Sequence, residues 1–344
     1  MSECFSLAFG IGTQNTAGEW LEVYYPQPLL NPEPAMVDIV AAQLGYQSGN
    51  QAIAIAASQC RALGQALKDG GFGEAGALLD QLAASSRPLV ATVLATDAAP
   101  VSTPEAYLKL HLLSHRLVKP HGVVLAGIFP LLPNVAWTNQ GAIDINELPQ
   151  RQLAARMKGE MLNVLSIDKF PSMTDYVVPT GVRIANTARV RLGAYVGEGT
   201  TVMHEGFINF NAGTAGTSMV EGRISAGVFV GKGSDLGGGC STMGTLSGGG
   251  NIVISIGEGC LIGANAGIGI PLGDRCTIEA GLYITAGIKV ALLDDADNLV
   301  EIVKARDLAN QPDLLFRRNS QTGSIECKTN KSSIQLNEML HAHN

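Results

Sequence analysis

The stretch Val190-Arg191-Leu192-Gly193-Ala194-Tyr195-Val196-Gly197-Glu198-Gly199-Thr200-Thr201-Val202 decides how the chain is read. Branched apolar side chains stand six residues apart at Val190, Val196 and Val202, and the count extends back through Ile184 to Val178 and on to Ile208. It restarts at Ile224, Val230 and Leu236, at Ile256, Ile262 and Ile268, and at Leu272, Ile278, Ile284 and Val290. Gly often follows directly, as in Val196-Gly197, Val230-Gly231, Leu236-Gly237, Ile256-Gly257, Ile262-Gly263 and Leu272-Gly273. A helix repeats at 3.6 residues and a strand at two, so neither sustains a period of six. A hexapeptide period belongs to a parallel β-helix, whose stacked coils bury a column of aliphatic side chains. The small residues between the aliphatics mark the turns.

Composition fits this reading. The chain has 344 residues, enough for two or three domains with real cores. Only 15% are charged and 41 are Gly, as a repeat with many turns requires. A net charge of −7 implies no general attraction for nucleic acid or an anionic membrane. No apolar run reaches the length of a membrane span, and Met1-Ser2-Glu3-Cys4 does not open a signal peptide, so a cytoplasmic protein is expected. Six scattered cysteines form no C-x-x-C pair and read as reduced thiols, several of them inside the solenoid.

Residues 1–175 lack the repeat and read as an α/β domain. Leu7–Thr13, Trp20–Tyr25 and Leu89–Leu94 are expected strands. Residues 50–68, 73–85, 104–117 and 145–165 are expected helices, the third capped by Ser102-Thr103. Gly10-Ile11-Gly12 is too short for a nucleotide fingerprint. His111 and His115 lie four apart without an intervening Glu, which favours surface or interface histidines over a metal pair. Residues 176–292 form the solenoid. Residues 293–344 form a small domain, with a turn at Asp294–Asn298, strands at 299–305 and 324–328, and a polar tail ending His341-Ala342-His343-Asn344.

Two interruptions of the repeat carry the chemistry. Asn209-Phe210-Asn211-Ala212-Gly213 through Met219-Val220-Glu221-Gly222-Arg223 separates Ile208 from Ile224. Gly237-Gly238-Gly239-Cys240-Ser241-Thr242-Met243-Gly244-Thr245-Leu246-Ser247 and three further glycines separate Leu236 from Ile256. Gly tracts cost conformational entropy and give a regular coil nothing. They do permit another chain, or a ligand's backbone-like arm, to approach closely.

Together M-H-E-G-F-x-N-F-N-A-G, V-E-G-R-x-S-A-G, G-G-G-x-S-x-M-G-T-L-S-G-G-G and L-L-F-R-R-N-S resemble the tetrahydrodipicolinate N-succinyltransferases, and their actinobacterial and pseudomonad branch in particular. The likeness reaches upstream to L-K-L-H-L-L-S-H-R-L and I-F-P-L-L-P-N-V-A-W-T. It implies a mixed α/β N-terminal domain, a left-handed parallel β-helix and a small C-terminal β domain. It also implies a homotrimer with active sites between subunits, and succinyl transfer from succinyl-CoA to an amine in lysine and diaminopimelate biosynthesis.

Residue by residue, the resemblance makes Glu221 the catalytic carboxylate, either as general base or as the group acylated to an anhydride. Gly244 matches the position whose backbone N–H faces the oxyanion. Arg223, Gly238, Ser241, Ala264, Glu279, Ala280 and Gly287 would line the cofactor's path. Lys304, Arg317, Arg318, Asn319 and Ser320 would serve its phosphate end. Relatives hold a metal ion such as Mg2+ near the trimer axis; here Ala188 stands where a partner acid is expected, leaving Glu205 alone for that role. A carbonic-anhydrase-like solenoid needs three metal histidines, and the solenoid has only His204. An ice-binding or scaffold solenoid would show unbroken coils. Another CoA-dependent acyltransferase, such as a serine or sugar acetyltransferase, would need His204 as its catalytic base.

Overall fold

The computed structural model describes residues 4–244 and 252–329. The chain divides into two compact units. The first comprises residues 4–118, 122–171 and 175–177; the second comprises 119–121, 172–174 and the described residues from 178 onward.

In the first unit an antiparallel sheet runs in the order Trp20–Tyr24, Ser6–Gln14, Leu89–Leu94, Gln51–Ile55. Leu7 and Phe9 of its centre, each at most 2% exposed, pack with the fully buried Leu63, Leu67 and Leu79 from helices Ala57–Asp69 and Gly73–Leu82 in one hydrophobic core. The helix expected from residue 50 therefore starts late. Gln51–Ile55 alternates at period two and pairs with Leu89–Leu94, and that pairing overrides the helical propensity of its alanines. Helix Thr103–Ser114 begins as expected, with the Ser102 hydroxyl accepting from the Glu105 N–H.

That helix is buried along its whole length, so His111 is a core residue and not a surface one. Its Nδ1 bonds the Tyr107 carbonyl, and its Nε2 accepts from the Tyr25 N–H. A smaller sheet centres on Val135–Thr138, flanked by Gly141–Asp144 and Val164–Asp168. The helix expected over 145–165 is real only over Leu148–Met157, and its end becomes the outer strand of this sheet.

The second unit is a parallel β-helix with three faces. The first face stacks Ala194–Val196, Ala212–Thr214, Phe229–Val230 and Ser255–Ile256. The second stacks Arg183–Ile184, Thr201–Val202, Met219–Val220, Asp235–Leu236, Leu261–Ile262 and Thr277–Ile278. The third stacks Phe207–Ile208, Arg223–Ile224, Ser241–Thr242, Gly267–Gly269 and Tyr283–Thr285.

Val190, Val196, Val202, Ile208, Val220, Ile224, Val230, Ile262, Ile268, Ile284 and Val290 are fully buried, so the sixfold count is the core. Each contributes roughly 1.5–3 kcal/mol relative to an exposed position. The two positions at the open end depart from this: Ile184 is half-buried and Val178 is 72% exposed, because the stack begins only at Arg183–Ile184 and no coil lies beneath Val178 to cover it. Beyond the last coil, Leu314–Arg318 pairs in parallel with Thr277–Ile278 and extends the second face. Ile325–Thr329, Lys289–Leu293 and Leu299–Lys304 follow it in the same sheet. All six cysteines are free and buried. The polar tail's last residues lie outside the described residues.

Candidate functional site

The corner between the second and third faces is the irregular part of the solenoid. At successive coils it is spanned by Met203-His204-Glu205-Gly206, then by Glu221-Gly222 alone, then by Gly237-Gly238-Gly239-Cys240. Gly263–Ala266 and Glu279–Leu282 restore four residues above it. The corner that carries Glu221 is thus two residues short. Thr201 pairs with Met219 eighteen residues later, whereas Phe207 pairs with Arg223 only sixteen later. Cutting a corner draws the chain inward. A recess of about 610 Å³ opens beside it, bounded by Gly222, Arg223, Gly239, Cys240 and Ser241 and, one coil below, by Glu205 and Phe207.

The backbone holds Glu221 rigidly. Its N–H donates to the Leu236 carbonyl at 2.8 Å, and its own carbonyl accepts from the Gly239 N–H at 3.2 Å. Its carboxylate lies over Gly238, where an added Cβ would stand 3.4 Å from Oε2. At Gly222 the neighbouring coil comes closer still: a Cβ there would sit 2.3 Å from Cys240 Sγ and 2.6 Å from its carbonyl oxygen. Burial, and then the nearby Glu221 carboxylate, push the Cys240 thiol up to about 12. Cys240 therefore remains a neutral thiol at neutral pH, and the nucleophilic or basic group at this corner, beside the recess, is the Glu221 carboxylate.

Gly238, Ala264 and Ala280 occupy corresponding places on this corner in successive coils. Asn265 N–H bonds Gly238 O, and Gly281 N–H bonds Ala264 O. Ala264 and Ala280 are exposed. With strands about 4.8 Å apart, the column from Glu221 to Ala280 spans roughly 14 Å of small side chains. Arg223 and Ser241 are direct register partners on the adjoining third face. Gly244 follows that strand closely, and Thr245–Ser247 with the Gly run lie outside the described residues.

The far end is tied by Glu279, whose carboxylate accepts from the Arg318 N–H at 2.6 Å and whose N–H bonds Phe316 O. The two arginines differ. Arg317 is committed to Glu326 at 2.9 Å and Asp297 at 3.2 Å. Arg318 is exposed, and its guanidinium donates to the Gly323 carbonyl. Asn319 serves a turn, binding Glu326 and accepting from the Gln321 and Thr322 N–H groups; Ser320 is exposed in that turn.

Lys304 is exposed and lies opposite Lys289 in register. Two lysines facing each other across a strand pair repel, which a surface serving no anion has no reason to keep. Arg306 N–H bonds Ala286 O, which brings this edge beside exposed Gly287. The register also places Arg318 at the same end of the sheet as Lys289, two strand spacings or about 10 Å away. Lys289 was missed in the sequence, because its partner lies fifteen residues on and only the strand pairing reveals it.

Glu205 is exposed, and its carboxylate bonds His204 Nδ1 at 2.7 Å. Among the described residues no three His, Cys, Asp or Glu side chains gather as they would around a metal ion. No described helix is long and apolar enough to cross a membrane.

Residues 253–286 match the family described as the hexapeptide repeat of succinyl-transferase, and residues 132–172 match tetrahydrodipicolinate N-succinyltransferase, middle part. The chain is 74% identical to a 2,3,4,5-tetrahydropyridine-2,6-dicarboxylate N-succinyltransferase of Pseudomonas paraeruginosa over 340 residues, covering 99% of this chain and 98% of that one. It is 60% identical to the protein of the same name from Vibrio cholerae, covering 99% of both. Among solved structures, a Campylobacter jejuni chain described as a 2,3,4,5-tetrahydropyridine-2-carboxylate N-succinyltransferase superposes with a TM-score of 0.87 at 29% identity, over 97% of this chain and 94% of that one.

Proposed function

The chain belongs to the tetrahydrodipicolinate N-succinyltransferase family, and from that premise we propose that it transfers succinyl from succinyl-CoA to the amine of tetrahydropyridine-2,6-dicarboxylate in its ring-opened form, 2-amino-6-oxopimelate, on the way to diaminopimelate and lysine. The observation that carries the catalytic assignment is the carboxylate of Glu221, on a shortened corner, facing Gly238 at the head of a column of small residues.

An amine attacks a thioester only when neutral, so the acceptor's ammonium must lose a proton. That first proton leaves to solvent. The neutral amine attacks the succinyl carbonyl, and as the C–N bond forms Glu221 takes the second proton from the attacking nitrogen. The oxyanion collapses, the C–S bond breaks, and that proton passes from Glu221 to the departing sulfur. The Gly244 backbone N–H is our assignment for the oxyanion. The pantetheine arm runs along Gly238, Ala264 and Ala280, with Arg223, Ser241 and Glu279 beside it. The phosphates lie among Arg318, Lys289 and Lys304, near Gly287. We assign Arg317, Asn319 and Ser320 to shaping that end rather than to touching phosphate, because the first two are held by Glu326.

The recess is open on its outer side, while acyl transfer benefits from excluding water. A second copy laid against the third face would close it, which supports a trimer with shared sites; light scattering should give three times 35.9 kDa. Mg2+ on the axis would rest on one Glu205 carboxylate per copy, already bonded to His204, and no step of the reaction is assigned to it.

Glu221→Gln tests the mechanism. It keeps size and hydrogen bonding, and turnover should fall by ~10²–10⁴-fold while succinyl-CoA still binds. Hydroxylamine with succinyl-CoA and no acceptor would yield a hydroxamate at Glu221 only on the anhydride route. We favour the base, since an amine needs no covalent relay to attack a thioester. Near-normal turnover in Glu221→Gln rejects both routes.

A further inference from the structure

The first unit contains a cavity of about 340 Å³ that the acyl transfer does not use. Its wall carries Glu22, which is only 6% exposed. Thr13 donates to one carboxylate oxygen at 2.6 Å, and Tyr176 donates to the other at 3.1 Å. Arg87 stands at the rim and donates to the same Thr13 hydroxyl at 2.9 Å. Asp175 is a second carboxylate on the lining. Trp137 forms an aromatic wall, its orientation fixed by an indole N–H bond to the Asp168 carbonyl at 2.9 Å, and Ile11 and Leu165 add aliphatic surface.

Two carboxylates, one guanidinium and an apolar wall form a charge pattern with few complements. We propose that this cavity binds a small diamino monocarboxylic acid: its carboxylate on Arg87, one ammonium on Glu22, the other on Asp175, and its aliphatic chain along Trp137. Burial raises Glu22 above the ordinary carboxyl range despite the donors around it, and partial desolvation raises Asp175 as well although that residue is exposed. An entering ammonium would offset that desolvation cost, which gives the cavity a reason to favour a cation over water. Its volume admits a molecule of about ten heavy atoms with water beside it. Every lining residue lies in the first unit, so the site is distinct from the solenoid corner and its occupancy is a separate event from catalysis.

The experiment is calorimetric titration of the full-length protein with L-lysine as probe, with Trp137 fluorescence as a second readout. We expect saturable binding of L-lysine. Norleucine, which lacks the second amine, and cadaverine, which lacks the carboxylate, should each bind at least tenfold more weakly. Glu22→Gln, which keeps the shape and one accepted hydroxyl bond while its NH2 donates to the other hydroxyl oxygen, and the rim variant Arg87→Met should each weaken L-lysine at least tenfold and leave turnover without lysine unchanged. Arg87→Met and Asp175→Asn decide the matter should Glu22→Gln fail to fold. Absence of binding at millimolar lysine, equal binding by the variants, or norleucine matching lysine would each overturn the assignment.

Discussion

Replacing Gly222 by Ala adds one methyl group at the point where the coils are closest. Gly222 does not have a positive φ, so backbone strain is not the obstacle. The obstacle is contact: the new Cβ would lie 2.3 Å from Cys240 Sγ and 2.6 Å from Cys240 O. Both distances are far inside van der Waals separation, and the carbonyl cannot rotate away because it accepts the Arg223 N–H at 2.8 Å. The coil must open. Overpacking of this kind costs about 1–3 kcal/mol, and for a unit of this size that lowers the melting temperature by roughly 3–10 °C.

Function should suffer more than stability, because the residue displaced is Glu221, one position earlier. A shift approaching 1 Å at a reacting group can cost about 10²-fold in rate. Adding Cys240→Ala removes the sulfur but leaves the carbonyl, so the double variant should recover part of the melting temperature and little of the rate. Differential scanning calorimetry and steady-state turnover decide it. A melting temperature within 1 °C of the parent together with full turnover would mean that the corner is not tight and that Glu221 is not held as argued.

Arg318→Ala should raise KM for succinyl-CoA with little change in turnover, as expected where a group binds the non-reacting end equally in ground and transition states. Arg317→Ala should instead lower stability, since Glu326, at 8% exposed, loses its cation; reversal of these two outcomes would exchange their roles. Lys289→Ala should raise the same KM and flatten its dependence on salt, whereas an unchanged KM would remove Lys289 from the phosphate end. His111 is pushed down to about 3 by burial, so the unfolded chain binds a proton below pH 6.5 that the native state refuses. Its contribution to stability is complete above pH 6.5 and declines as pH falls toward 3, by about 2–3 kcal/mol between pH 6 and pH 4. His111→Gln should melt lower at pH 7 but vary less with pH over that interval, and parallel pH profiles would refute this.

The sequence by itself determined the β-helix, because a period of six has one structural meaning and each in-phase aliphatic has to be buried somewhere. It also pointed to Glu221 and the Gly-rich tract, since both sit where the count of six fails. The limits of that reading are equally physical. Val178 kept the period yet lies outside the stack, because burial needs a neighbouring coil and periodicity cannot say where the stack begins. Gln51–Ile55 became a strand because Leu89–Leu94 was there to pair with it. Arg317 and Arg318 are adjacent and alike in sequence, but strand alternation and the carboxylate of Glu326 separate one from the other. Lys289 gained its candidacy only from facing Lys304 across a hairpin. The cavity around Glu22 joins residues more than 150 positions apart, from Ile11 to Tyr176. Local sequence sets periods, caps and turns; which charges meet, and which of them lose their water, depends on contacts between distant segments that only the tertiary structure decides.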